Sequence, residues 1–125
     1  MTVRIKRVYD MPEPSDGVRI LVDRLWPRGM AKEKARIDLW LKDISPSDDL
    51  RRRFHARPES WDEFRTLYAA ELEGEAEQVA LAELERHIAQ GPVTLLYAAR
   101  DERHNNAAAL KMWLEEKALK PTEGG

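Results

Sequence analysis

The chain has 125 residues, 42% hydrophobic and 35% charged, with 21 basic and 23 acidic residues and a net charge of −2. That composition fits one soluble domain around one core and excludes a disordered chain, and the charge balance leaves no global footprint for nucleic acid. Cysteine is absent, which excludes disulfides, thiolate metal sites and a cysteine nucleophile, and no apolar run approaches the roughly 18 residues of a membrane span.

The amino-terminal stretch Met1-Thr2-Val3-Arg4-Ile5-Lys6-Arg7 lacks the apolar block of a signal peptide, so a cytoplasmic protein is expected. Val3 and Ile5 alternate with Arg4 and Lys6 up to Tyr9, the pattern of a strand near a sheet edge with one face partly exposed. Met11 to Gly17, with two prolines, reads as a loop. Val18 to Trp26 reads as a buried strand that Pro27 ends, because proline cannot donate to a ladder. Gly29 then permits a tight turn, and Lys32-Glu33-Lys34-Ala35 suits a short helical turn. Ile37, Leu39 and Leu41 alternate with polar or amphipathic neighbours, predicting a third strand that ends near Lys42.

Ser47 caps a helix whose first turn holds Asp48 and Asp49 and whose last turn holds Arg51-Arg52-Arg53, matching the helix dipole at both ends. Ser60 and Glu63 have the spacing of a capping box. Trp61, Phe64, Leu67, Tyr68 and Leu72 follow as one helical stripe. Gly74 marks a break, and Ala76, Ala80, Leu81, Leu84 and Ile88 give a second helix that Gly91-Pro92 stops. Val93 to Ala99 is the most continuously apolar run and reads as a central strand buried on both faces. The last helix turns Ala107, Leu110, Trp113 and Leu114 inward, and residues 121–125 read as a flexible tail. Helices between the later strands call for parallel pairing.

Two strand-to-loop junctions carry the polar chemistry. The first holds Asp23, Arg24, Trp26 and Arg28; the second holds Tyr97, Arg100, Asp101, His104, Asn105 and Asn106. Arginine makes planar, bidentate bonds to carboxylate or phosphate, and ligands of open α/β sheets bind at the carboxyl ends of strands. Backbone amides at the start of the last helix add an anion seat. His104 has the chemistry of a general acid or base, positioned by Asp101 or Asn105; Asp23, the other expected catalytic carboxylate, would orient an arginine of the first junction. Lys42 reaches toward the same rim. Asn105 and Asn106 suit helix capping as well. Arg51-Arg52-Arg53 is expected to be a helix end and not a binding site. His55, His87 and His104 lack metal-ligand spacing, no serine lies in a Gly-x-Ser-x-Gly setting, and no glycine-rich nucleotide loop is present. No cofactor is therefore expected.

Val22-Asp23-Arg24-Leu25-Trp26-Pro27-Arg28-Gly29 with Leu39-Trp40-Leu41-Lys42-Asp43, and Leu95-Leu96-Tyr97-Ala98-Ala99-Arg100-Asp101 with His104-Asn105, together resemble the motifs of the small bacterial DUF488 proteins, in their YeaO-like branch. The resemblance runs from Val3 to about Leu119. It implies a small three-layer α/β domain over residues 1–120, with a mostly parallel sheet of about four strands flanked by helices. Matched position by position, it implies functional roles for Asp23, Arg24, Arg28, Lys42, Asp101, His104 and Asn105, with Asn106 ranked lower. Other branches can carry cysteine in the C-terminal motif; this chain has none, so thiol chemistry is excluded. The family is uncharacterised in function, so the resemblance implies a site and not a reaction. The expected partner is an anionic small molecule, phosphate-bearing or nucleotide-like, bound or processed at the carboxyl ends of the sheet. The rival readings are a non-catalytic binding module and, against the net charge, a nucleic-acid-associated protein.

Overall fold

Alternation along each strand divides the molecule into two faces of one sheet. A computed structural model describes residues 2–119; the expected tail at 121–125 lies outside the described residues. The strands are β1 (Val3–Arg7), β2 (Val18–Leu21), β3 (Leu39–Trp40) and β4 (Val93–Tyr97). They pair in the order β1-β4-β2-β3, every pair parallel. The last strand in the chain therefore lies between the first two, with Leu95 opposite both Ile5 and Ile20. Its five residues are all buried, as its unbroken apolar run requires. This is the small α/β architecture expected.

The helices are α1 (Lys32–Ala35), α2 (Asp48–Ala56), α3 (Trp61–Glu71), α4 (Glu75–Gln90) and α5 (Asn106–Leu119). Among the described residues none is long and apolar enough to cross a membrane. Ile20, Val93, Leu95 and Tyr97 share one core with Leu50 of α2, Phe64 and Tyr68 of α3, Leu81 and Leu84 of α4, and Leu110 and Leu114 of α5. Of the core positions expected from periodicity, Val22, Phe64, Leu84, Leu95, Leu96 and Leu110 are buried, and Leu39 and Trp113 are half-buried. Full burial of such side chains is worth about 1.5–3 kcal/mol each. The Tyr68 hydroxyl donates to the Ile44 carbonyl, so the phenol brings its polar end into the core with a partner.

The opposite face is divided along the strands. Toward their amino ends, the buried Asp16 carboxylate accepts from Lys6 and from the buried Arg19, whose guanidinium also donates to the carbonyls of Ala35 and Arg36. Burial opposes the charged form of Asp16, but the Glu13 amide, Lys6 and Arg19 together hold its carboxyl below the ordinary value. Beside it Gly17 adopts φ +66°, and a Cβ there would lie 2.2 Å from the Pro92 carbonyl oxygen, so only glycine fits. Toward the carboxyl ends, Val8, Leu21 and Leu96 pack with Trp26 and Trp40. The two indoles meet edge-to-face at 5.5 Å, and each N–H donates at 2.7 Å to a carbonyl, Trp26 to Met30 and Trp40 to Asp23.

Local boundaries differ from the expected ones. β2 stops at Leu21, not near Trp26: after the Val22 amide bonds to Leu96 the chain turns away. β3 is an edge strand of two residues paired with β2, and Lys42–Ile44 then coils into a 3₁₀ turn. Ser47 caps α2 as expected, accepting from the Leu50 amide, but α2 continues to Ala56, so the arginine triplet lies inside it. The expected Ser60–Glu63 capping box does not form; the Ser60 hydroxyl donates to the Arg57 carbonyl, and Glu63 pairs with Arg53.

Candidate functional site

Four parallel strands send their following loops to one rim, and a cleft of about 590 Å³ lies there. Tyr9 reaches it after β1, Asp23 to Arg28 after β2, Ser45 and Pro46 after β3, and Ala98 to Asp101 after β4. The start of α5 contributes His104, Asn105 and Asn106. The two polar junctions thus share one wall, as the crevice rule requires.

Asp23 joins them. One of its carboxylate oxygens accepts from the Ala98 amide at 2.9 Å, the other from the Asn106 side-chain amide at 2.9 Å, and the same Asn106 nitrogen donates to the Val22 carbonyl at 2.9 Å. Burial raises the Asp23 carboxyl above its ordinary value; Asn106, the Ala98 amide and the charge of Arg51 oppose that rise without cancelling it. The expected pairing of Asp23 with a junction arginine is absent among the described residues; its oxygens accept from the two amides instead. Asn106, ranked low in the sequence, is the residue that ties the first junction to the last helix.

Asp101 and Asn105 shape the second junction. One Asp101 oxygen accepts from the amides of Arg103 and His104, and these bonds hold its carboxyl below the usual value. The buried Asn105 accepts from the Ala108 amide at 2.8 Å and donates to the Asp101 carbonyl, so it caps α5. The His104 ring lies 4.8 Å from that of Trp61, tilted by 34°, with its Nδ1 3.9 Å from the second Asp101 oxygen.

Arg24, Arg28 and Arg100 line the cleft and form no side-chain ion pair among the described residues. The Arg24 Nε is buried without a hydrogen-bond partner. Trp26 lines the cleft while anchored to Met30. Two expected members are elsewhere. Tyr97 is buried in the core with its phenol pushed up by burial, and the Lys42 ammonium lies 4.1 Å over the Trp40 ring; neither lines the cleft.

A further face was missed. Arg51, Phe54 and His55 line the cleft at spacing i, i+3, i+4, the stripe of one face of α2, and Pro58 joins them just past the helix end. Arg51 is therefore a cleft residue, bonded to Asp48 at 3.2 Å on an exposed surface, while Arg52 and Arg53 pair with Asp49 and Glu63. The stripe is visible in the sequence once α2 is extended past the arginines. Among the described residues, no group of three or more His, Asp or Glu is placed to hold a metal ion.

A parallel α/β sheet with an arginine-lined cleft at its carboxyl rim is the class this geometry defines. The chain belongs to the DUF488 family: the family described as "Inactive DUF488-N3 subclade" matches residues 2–124. It is 46% identical over 115 residues to the uncharacterized protein YeaO of Escherichia coli, spanning 91% of this chain and 97% of that protein. It is 43% identical over 112 residues to the uncharacterized proteins Mb3100c of Mycobacterium bovis and Rv3073c of Mycobacterium tuberculosis, spanning 90% of this chain and 92% of each. No solved structure matches the chain.

Proposed function

We propose that the protein is a cytoplasmic binder of an anionic small molecule, phosphate-bearing or nucleotide-like, held in the carboxyl-rim cleft without being turned over. The observation that carries this reading is the convergence of Arg24, Arg28, Arg51 and Arg100 from three separate segments on one cleft. Three of them have no carboxylate partner among the described residues, in a protein whose net charge is −2. Asp23 and Asp101, the carboxylates at the same rim, accept from amide donors and form no ion pair with these arginines among the described residues. A guanidinium without a carboxylate, partly withdrawn from water, favours an oxyanion. Binding is preferred to catalysis because the carboxylates beside His104 act as structural acceptors, and because the subclade is described as inactive.

The test is thermal unfolding at fixed ionic strength with increasing inorganic phosphate or pyrophosphate. The midpoint should rise by mass action, and the rise should vanish in Arg24→Ala and Arg28→Ala variants that remain folded. No ligand-dependent shift, or the same shift in both variants, defeats the reading. A proton-transfer role for His104 rests on its 3.9 Å approach to Asp101; phosphatase activity lost in His104→Ala would replace binding by catalysis.

A further inference from the structure

The cleft has a second wall of different chemistry, which narrows the ligand. Resting on the anion-binding reading above, we infer that the ligand carries its anion on a planar aromatic group, as an aryl phosphate does, so that a bare inorganic anion occupies only part of the site. A cleft of about 590 Å³ is the size of a site for an organic molecule, since such pockets run to roughly 300–1,000 Å³. Phe54 and Phe64 line it, stacked on each other at 4.6 Å. Trp61 lies 5.7 Å from each of them and 4.8 Å from the His104 ring. Four rings thus brace one another, and three of them reach the cleft.

Arg51 and Phe54 fix the relation between cation and ring. They are three residues apart on α2 and line the same cleft. Residues so spaced on a helix are neighbours, with Cβ atoms about 5–6 Å apart. The ligand's anion and its apolar plane must therefore lie within one helical turn of each other. An aryl phosphate meets that distance. A long-chain amphiphile, whose apolar bulk trails far from its head, does not. Leu25, 62% exposed at the mouth of the cleft, adds apolar surface beside the junction arginines. Stacking on such side chains uses the π-face of a flat ring, which a saturated ring lacks.

The experiment is calorimetric titration of the intact protein with three probes: inorganic phosphate, phenyl phosphate and cyclohexyl phosphate. Phenyl phosphate should bind about tenfold tighter than inorganic phosphate, and cyclohexyl phosphate should recover only part of that gain. Phe54→Leu, which keeps an apolar side chain and removes the ring, should reduce phenyl phosphate to the cyclohexyl level. If inorganic and phenyl phosphate bind equally, or cyclohexyl phosphate matches phenyl phosphate, the aromatic inference is overturned and the anion site stands. If none of the three binds, the anion-binding reading fails and the inference falls with it. The comparison of the three probes on the unaltered protein decides the matter even if the Phe54 variant does not fold.

Discussion

Replacing Asn106 by Ala should loosen the junction between the two halves of the cleft. One side-chain amide donates to both the Val22 carbonyl and the Asp23 carboxylate, at 2.9 Å each. A neutral hydrogen bond contributes about 0.5–1.5 kcal/mol and one to a charged group about 1.5–3. Val22 is buried and Asp23 half-buried, so water recovers part of the loss at the carboxylate alone; an expected cost of about 2 kcal/mol follows. The sign of its pH dependence is set by Asp23. Its carboxyl lies above the ordinary 3.8 in the folded protein, so ionised Asp23 weakens the fold and its protonation restores stability as pH falls through that raised value. Without Asn106 a bond that favours the ionised form is gone, and the value rises further. The variant's deficit should therefore be largest at neutral pH and smaller near pH 4, about where carboxylates titrate. Urea unfolding of both proteins at the two pH values measures this, with the slope on urea unchanged. An equal deficit at both pH values would refute the linkage, and no deficit at all would refute the role of Asn106.

Asp16→Asn should cost about 3 kcal/mol, because Arg19 is buried and loses its carboxylate. Here the shift runs the other way: the Asp16 carboxyl is held below 3.8, so its contribution is present above that value and disappears as pH falls through the lowered one; a difference in unfolding free energy that persists undiminished in strong acid would contradict it. Gly17→Ala should lower the thermal midpoint by roughly 10 °C, since φ +66° and a 2.2 Å approach to the Pro92 carbonyl oxygen must both be relieved. A variant as stable as the parent would mean that the Gly17–Pro92 contact is not fixed in solution.

The strands were legible wherever local pattern and burial coincide. The uninterrupted run Val93 to Tyr97 reads as buried on both faces, and it is one of the two strands with a neighbour on each side. The two polar junctions were legible by the same logic, since each follows a strand end. What the sequence does not carry is which groups satisfy one another across long separations. Asp23 meets the Ala98 amide 75 residues away and Asn106 83 residues away, so an acid expected to orient an arginine instead ties two loops together. Lys42 was placed at the rim by extending β3; the strand ends at Trp40, the chain coils into a 3₁₀ turn from Lys42, and the ammonium finds the Trp40 ring instead. The arginine triplet was read as a terminus because its charge suits one. The three residues after it, Phe54, His55 and Ala56, continue the helix and turn Arg51 into a wall of the cleft.

The strand order bears on how the chain can be made. Synthesis delivers β1, β2 and β3 first, but β1 and β2 are not neighbours; β4 must enter between them, and it emerges only after residue 92. Until then β1 has no partner in the sheet, and β2 can pair only with the two-residue β3. The rim loops have nothing to close against, because Asp23 awaits Ala98 and Asn106. Long-range parallel pairing of this kind is slow, and the waiting strands are exposed to association with other chains. A ribosome-bound chain arrested before β4 should therefore be protease-sensitive throughout its first half, with cleft and sheet appearing together once the last helix clears the exit tunnel.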